Sequence, residues 1–326
     1  MDLRRVQRTS GGTFFVCLPK EWASRTGLAR SSVVALSETA DGRLVIDAKY
    51  RAERTPQTVA LQPSPLLDRE IVGKYLLGYD IIRVEAKDRM STEDRDCIKQ
   101  ASSRLIGLEI VEEDYSKIVL QCLLEPSAYP PEKILQREHS IASSMHKDAV
   151  TAFVESDAHL AKNVMSRDNE VNRQYFLLVR ILRTVIQNPG LSEKLGILPI
   201  DCLDYRLVAS LVEAVGDQSV QVAELTIKLG KAQVAKELTQ LLMKLHRVAS
   251  ESNENALKSL FSRDIALAES VRAEQKSALN LYGEIEAAVQ RYNTDVAPQV
   301  LAASSSISRI YDHSLDIADL VMPKTG

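Results

Sequence analysis

The sequence has few aromatic residues, few cysteines and no long hydrophobic run. Aromatic side chains form only 5% of the 326 residues, whereas hydrophobic residues as a whole reach 45%. A core built mainly from leucine, valine, isoleucine and alanine is typical of packed helices. No apolar run approaches the ~20 residues that a membrane-spanning helix needs, and no apolar stretch behind the first arginines resembles a signal peptide. We therefore expect a cytoplasmic protein without membrane insertion.

Several common catalytic and metal-binding patterns are also missing. The four cysteines stand far apart and form no CxxC pair, which excludes zinc ribbons and thioredoxin-like redox sites. The five histidines are scattered, without HExxH or ExxH spacing. Neither of the glycine-rich nucleotide-binding patterns, GxxxxGK(S/T) or GxGxxG, occurs after a strand. The sequence therefore predicts a protein that is not an enzyme.

Charge is distributed unevenly along the chain. Residues 1–54 hold ten Lys and Arg against six Asp and Glu, although the whole chain has a net charge of −3. A basic module at one end suggests an anionic partner. Its pattern predicts a small β-rich domain, with a strand in TFFVCLP, a short helix in KEWASRTGL and a hairpin around Asp41-Gly42. Fifty residues are few for an independent core, so we expect this domain to form a homodimer.

Residues 55–128 predict a small α/β domain. Strands are expected in QTVALQ and DIIRVEA, and helices in two segments that stop at Gly78 and Gly107. Two further strands should pair around the turn at Asp114-Tyr115-Ser116. Nothing here resembles a catalytic set, so we interpret the domain as a spacer or an interaction domain.

The remaining sequence is helical and contains a weak internal repeat. Breaks are expected at Asn188-Pro189-Gly190, at Leu198-Pro199 and near Pro298. Five matches share an offset of 107 residues, beginning with Asp157 against Asp264, and a second block in the same order pairs Asp217 with Asp312. The repeat predicts a mainly α-helical fold with two tandem three-helix bundles, residues 129–230 and 231–326.

Acidic residues at helical spacing form a candidate site in the first bundle. Glu213 and Asp217 lie four residues apart on one predicted helix face, and Asp168 and Asn172 have the same spacing on the preceding helix. If the two helices are antiparallel neighbours, three carboxylates and one amide converge. Such a set suits iron, manganese, magnesium or zinc, although charged pairs at this spacing are also common on solvated faces.

The second bundle has a poorer version of this set. Asp312 is kept, but Ser308, Gln275 and Leu279 occupy the positions that match Glu213, Asp168 and Asn172. A weaker site could recruit Glu274 beside Asp312.

The segments VEAVGDQSVQVAEL, SRIYDHSLDIADLVM and DAHLAKNVMSRDNEVNRQYF resemble the PhoU family of phosphate-signalling proteins. The resemblance covers about residues 131–323. It implies tandem three-helix bundles, dimers and metal clusters at acidic motifs. Carried over, the ligands of the first site are Asp168, Glu213 and Asp217, with Asn172 in place of the usual second acid.

The opening stretch, about residues 3–48, resembles AbrB-like looped-hinge-helix domains, which are swapped-hairpin DNA-binding dimers. The resemblance rests on SGGTFFVCLPKEW followed by DGRLVI, whereas Ser31 and Ser32 depart from the family pattern. Guanidinium and ammonium groups bind phosphate oxygens, and charge neutralisation supplies much of DNA affinity. The predicted DNA-contacting residues are Arg4, Arg5, Arg8, Lys20 and Arg25.

These features lead to two competing functions. In the first, the protein regulates phosphate uptake as a transcription factor: the N-terminal domain binds DNA, and the helical body reports phosphate status through a metal site or a partner. In the second, the protein is an adaptor that docks on a phosphate transporter ATPase or a sensor kinase, and the N-terminal domain only dimerises. A metalloenzyme is a third, weaker interpretation, because the acidic residues lack a positioned base or nucleophile.

Overall fold

The computed structural model describes residues 3–38, 42–48, 56–230, 232–292 and 296–322. The chain divides into two compact units, residues 1–56 and residues 57–326. The boundary at residue 56 lies two residues beyond the predicted boundary at residue 54.

The first unit consists of two short hairpins and one helix. Strand β1 (Gln7–Arg8) pairs with β2 (Phe14–Phe15), and β3 (Ala35–Glu38) pairs with β4 (Leu44–Asp47), both antiparallel. Between them lies helix α1 (Lys20–Arg25). The predicted strand in TFFVCLP is only two residues long. Asp41 of the predicted hairpin turn lies outside the described residues, but Gly42 adopts the positive φ of 77° that glycine tolerates.

The first unit has no core of its own among the residues whose burial is described. None of those residues is buried. Eight of its larger apolar side chains are exposed, and these are Leu3, Val6, Phe14, Phe15, Val16, Val33, Leu36 and Leu44. An apolar surface of this extent on a small domain marks an interaction site.

The second unit begins with the expected α/β domain. Its elements are β5 (Thr58–Leu61), α2 (Leu67–Leu76), β6 (Ile81–Glu85), α3 (Thr92–Ser103), β7 (Leu108–Glu113) and β8 (Lys117–Cys122). The strand order is β5-β6-β8-β7, with β5 and β6 parallel and the other pairs antiparallel. The predicted turn between β7 and β8 is confirmed, and the Asp114 carboxylate holds it by accepting hydrogen bonds from the backbone N–H groups of Ser116 (2.8 Å) and Lys117 (2.7 Å).

In the described residues beyond β8, eight helices follow and confirm the predicted mainly α-helical fold class. They are α4 (Pro131–Glu155), α5 (Ala158–Gln187), α6 (Pro189–Leu195), α7 (Asp201–Leu229), α8 (Lys236–Ser262), α9 (Ile265–Ala273), α10 (Gln275–Tyr292) and α11 (Ala297–Asp319). Helices α4, α5 and α7 pack as the first bundle, while α8, the α9–α10 pair and α11 form the second. Their shared core is aliphatic, as the composition predicts.

The repeat predicted from sequence marks equivalent helix starts. Asp157 caps α5 by accepting hydrogen bonds from the N–H groups of His159 and Leu160, and Asp264 caps α9 in the same way through Leu267. The second bundle nevertheless differs from the first. Where α5 runs unbroken for 30 residues, its counterpart is interrupted at Glu274 between α9 and α10.

Arg180 joins the α/β domain to the first bundle. This α5 side chain is 3% exposed, and its guanidinium donates hydrogen bonds to the carbonyl oxygens of Tyr75 (2.6 Å) and Tyr79 (2.9 Å). It also lies 3.5 Å from the Asp80 carboxylate.

Within the described part of the chain, none of the helices is both long and apolar enough to cross a bilayer.

Candidate functional site

Helices α5 and α7 approach each other closely where Gly216 meets Val171. A Cβ atom placed on Gly216 would lie 3.5 Å from Val171 Cγ1, which is ordinary van der Waals contact. On α5 this contact is flanked by Asp168 and Asn172, and on α7 it is flanked by Glu213 and Asp217. Packing of one small residue against one branched residue therefore brings the predicted ligands together.

The structure places the four predicted residues of the first site in one cluster. The Asn172 amide nitrogen donates a hydrogen bond of 2.9 Å to a carboxylate oxygen of Asp168. Burial raises the pKa of Asp168, and the charge of Asp217 raises it further. Burial likewise raises the pKa of Glu213, with added repulsion from Asp217 and Asp168. The carboxylates thus lie close enough to repel one another across the α5–α7 contact.

Sequence reasoning missed a further carboxylate, Glu138 of α4. Its side chain is 0% exposed, and neither carboxylate oxygen has a hydrogen-bond partner among the described residues. Burial raises the pKa of Glu138 well above its ordinary value, the charge of Glu213 raises it further, and Arg206 opposes both effects. Arg206 itself stacks over the Tyr175 ring, 4.7 Å from its centroid. Glu138 therefore extends the acidic cluster onto a third helix.

A signal for Glu138 is present in the sequence. It is the one acid in the buried stripe of α4, which otherwise runs through apolar residues such as Leu135, Ala142 and Met145 at helical spacing. A lone carboxylate at a core position is rarely buried unless it has a partner or a function. A search restricted to pairs of acids on one helix does not find such a residue.

The donor set of this cluster fits a hard or borderline cation. Carboxylate and amide oxygens are ligands for such ions, and the unpaired oxygens of the buried Glu138 leave donor capacity unused. However, within the described residues no three His, Cys, Asp or Glu side chains are already arranged to hold a metal ion. Metal binding at this cluster therefore stays a prediction.

The two residues of the predicted second site, Glu274 and Asp312, are exposed and both lie near Tyr311. Burial raises the pKa of Asp312, and the charges that act on it come from His313, Asp316 and Arg309, all on α11. The helix break at Glu274 replaces the continuous helix that carries Asp168 and Asn172 in the first bundle. A second metal site at Glu274 and Asp312 stays a prediction.

The predicted DNA-contacting residues lie on the surface of the first unit. All five side chains are exposed. Arg8 lies over the Phe14 ring, 5.5 Å from its centroid, and Lys20 and Arg25 stand at the two ends of α1. DNA contact by these residues stays a prediction.

Comparison with known proteins places the helical body in a family. The PhoU domain family matches residues 135–226 and 242–321, which make up just over half of the chain and fall on the two bundles. A "Phosphate-specific transport system accessory protein PhoU homolog" of Deinococcus radiodurans is 27% identical over 186 residues, covering 53% of this chain and 82% of that protein. A protein of the same description from Pseudomonas aeruginosa is 27% identical over 155 residues, covering 46% of this chain and 61% of that protein.

The fold comparison agrees with the sequence comparison. The crystal structure of PhoU from Pseudomonas aeruginosa superimposes with a TM-score of 0.54, covering 60% of this chain and 95% of that chain at 20% sequence identity. At this identity the likeness concerns the fold alone. Because the family match covers just over half of the chain and falls on both bundles, this chain belongs to the PhoU domain family.

Proposed function

We propose that this protein is an accessory regulator of phosphate transport that acts as an adaptor on a phosphate transporter ATPase or its signalling partner. The observation that carries the proposal is the family match over both bundles, together with two relatives described as accessory proteins of the phosphate-specific transport system. An adaptor needs no catalytic residues. It needs long, rigid helical faces, which α4, α5, α7 and α8 supply.

The adaptor function is tested in cells and with purified protein. Disruption of the gene is expected to alter phosphate uptake when phosphate is plentiful, and the full-length protein restores normal uptake. The tagged protein should co-purify with the ATPase subunit of the phosphate transporter of the same cells. Unchanged uptake together with no co-purification, at high and low phosphate, would refute the proposal.

A second candidate function, DNA binding by the N-terminal unit, is favoured by a separate observation. This unit exposes the five predicted DNA-contacting cations and eight large apolar side chains, and it has no buried residue among those whose burial is described. Burying the apolar side chains against a second copy of the chain would double the number of cations available to a phosphate backbone. The resemblance to AbrB-like dimers predicts the same arrangement.

DNA binding is tested by fluorescence anisotropy with the full chain and labelled duplex DNA at several salt concentrations. Affinity should fall with salt, because each neutralised phosphate contributes a slope of about −0.9 in a plot of log K against log salt concentration. The variant Arg5→Glu/Arg8→Glu should bind more weakly and with a shallower slope, whereas Lys162→Glu/Lys276→Glu, at exposed positions of α5 and α10, is the control with the same change of charge. Equal binding by both variants would refute the DNA interface, and sedimentation of a monomer would refute the homodimer.

The acidic cluster is proposed to bind a metal ion, either iron, zinc, manganese or magnesium. The support is the convergence of Asp168, Glu213 and Asp217, the adjacent Asn172 amide and the unpaired Glu138. Elemental analysis of purified protein should find bound metal in the wild type and much less in Glu213→Ala/Asp217→Ala. The control is Glu284→Ala/Glu286→Ala, an exposed acidic pair on α10. The same metal content in all three proteins would rule out the site.

A further inference from the structure

A cleft of about 550 Å³ lies at the junction of the α/β domain and the first bundle, and none of the side chains of the acidic cluster lines it. Ile106 lines it from the α/β domain, Tyr129 from the segment that leads into α4, and the first turns of α4 and the middle of α5 from the bundle. Clefts of a few hundred Å³ at domain junctions are common sites for small ligands.

Three cations surround the mouth of this cleft. Lys133 and Arg137 lie four residues apart on α4, and Arg173 faces them from α5. All three side chains are exposed, and in the described part of the chain none of them takes part in an ion pair. The one acid that lines the cleft is Glu170. The cleft therefore has an excess of positive charge.

This arrangement of cations is unfavourable in the absence of an anion. Same-sign charges four residues apart on one helix repel each other. Lys133 also lies in the first turn of α4, where the positive end of the helix dipole disfavours a cation. A bound anion would reverse both effects, because it would interact with the two side chains and with the helix terminus.

The floor of the cleft is apolar, with one polar group. Ile134 and Leu177 are buried there, and the partly exposed Tyr129 ring lines one wall. Gln174 is 7% exposed, and its side-chain amide makes no hydrogen bond to another described residue and stays open to solvent in the cleft. A cleft that combines cations, an apolar floor and an unpaired amide fits a ligand that carries both charge and hydrogen-bonding groups.

We propose that this cleft binds a phosphorylated organic anion of nucleotide size. Its phosphate groups would contact Arg137, Arg173 and Lys133, its ring would pack against Tyr129, and Gln174 would hydrogen-bond to a polar edge of that ring. Arginine is suited to this role because its guanidinium can donate two parallel hydrogen bonds to one phosphate. The proposal does not depend on the transport function or on a metal.

The experiment is isothermal titration calorimetry of the full chain with ATP, ADP, AMP and inorganic phosphate. EDTA is present, so that the acidic cluster cannot contribute through a metal. At least one nucleotide should bind with a Kd below about 1 mM, and inorganic phosphate should bind at least about tenfold more weakly because it cannot reach the apolar floor and the cations together.

Matched variants locate the binding. Arg137→Gln/Arg173→Gln should weaken nucleotide binding at least about tenfold through the loss of two charge-assisted contacts. Lys162→Gln, an exposed cation on the same helix α5, should change it less than about twofold. All these side chains are exposed, and circular dichroism will show that the helices are retained. Three results would each overturn the proposal: no nucleotide binding at millimolar concentration, equal binding of inorganic phosphate, or nucleotide binding that the double variant leaves unchanged.

Discussion

Replacement of His246 by methionine is expected to reduce the pH dependence of stability in the helical body. His246 of α8 and His146 of α4 form a buried hydrogen bond between the two bundles, with 3.1 Å between Nδ1 of His246 and Nε2 of His146. Their rings are edge to face, with centroids 4.4 Å apart. Methionine fills similar space but neither titrates nor makes this hydrogen bond.

Both histidines are held in the neutral form by their surroundings. Burial lowers the pKa of His246 to about 4, with a further contribution from Lys147. Burial also lowers the pKa of His146 well below its ordinary value, and His246 adds to this effect. Because the folded pKa lies below the unfolded one, the unfolded chain binds more protons between these two values. The stability that the neutral pair contributes is therefore present above about pH 6.5 and is lost as the pH falls towards 4.

The size of the effect follows from the proton linkage. One pKa unit corresponds to about 1.4 kcal/mol, so lowering the pH from 6.5 to 5 costs roughly 2 kcal/mol at His246 alone. At pH 7.5 the variant should be less stable than the wild type by about 1–3 kcal/mol, because the buried His146 ring loses its partner. At pH 5 the difference should shrink by about 2 kcal/mol and approach zero.

The assay is urea unfolding of the full chain at pH 7.5 and pH 5. Circular dichroism at 222 nm should be used, because the single tryptophan, Trp22, lies in the first unit and does not report on the bundles. Met243 lines, together with both histidines, a cavity of about 390 Å³, and Met243→Leu removes no titrating group and should keep the wild-type pH dependence. The other charged groups of that cavity, Lys147, Arg247, Glu251 and Glu254, are retained in every variant. Parallel pH dependence in the wild type and His246→Met would show that the pair does not control acid stability.

Three smaller predictions concern packing and capping, and all can be measured by urea unfolding at pH 7. Gly216→Ala should raise the free energy of unfolding by about 0.5–1 kcal/mol, because the space beside Val171 admits a methyl group and alanine favours the helix. A lower free energy of unfolding would mean that the contact between α5 and α7 cannot accommodate the added methyl group. Asp157→Ala should cost about 1 kcal/mol by removing the cap of α5, and no change would show that water replaces the cap. Arg180→Leu should cost about 3 kcal/mol and expose the α/β domain to proteases, since two buried carbonyl oxygens lose their donor; wild-type protease resistance would contradict the role of this residue as a domain link.

The helical half could be predicted well because its limits are set by local chemistry. Proline at the start of α4 and aspartate before α5 and α9 act within one turn of the chain, so the sequence alone carries the signal. The interruption at Glu274 could not be predicted in this way, since neither glycine nor proline occurs near it. Such a break depends on the packing of neighbouring helices, which no local pattern records.

The first unit shows the opposite situation. Its run TFFVCLP has strong β propensity, yet only Phe14–Phe15 pairs as strand. Propensity in a sheet mostly reflects the fit of a side chain to a half-buried surface. Within the described residues of a single chain this unit supplies no buried surface, so its hairpins stay short and its phenylalanines stay exposed. The length of a strand in this unit depends on the surface that covers it. The sequence of the strand itself does not determine that surface, so the strand length could not be predicted from it.

The acidic cluster combines both situations. Spacing along α5 and α7 identifies Asp168, Asn172, Glu213 and Asp217, because residues four apart must share a helix face. The convergence of the two faces depends on the contact at Gly216, and the addition of Glu138 depends on the face that α4 turns towards α7. A polar residue within an apolar stripe is therefore as informative as a repeated spacing. Such a residue marks a place where the fold tolerates the cost of burying an ionisable group. Here that residue is Glu138, whose side chain faces the other acids of the cluster.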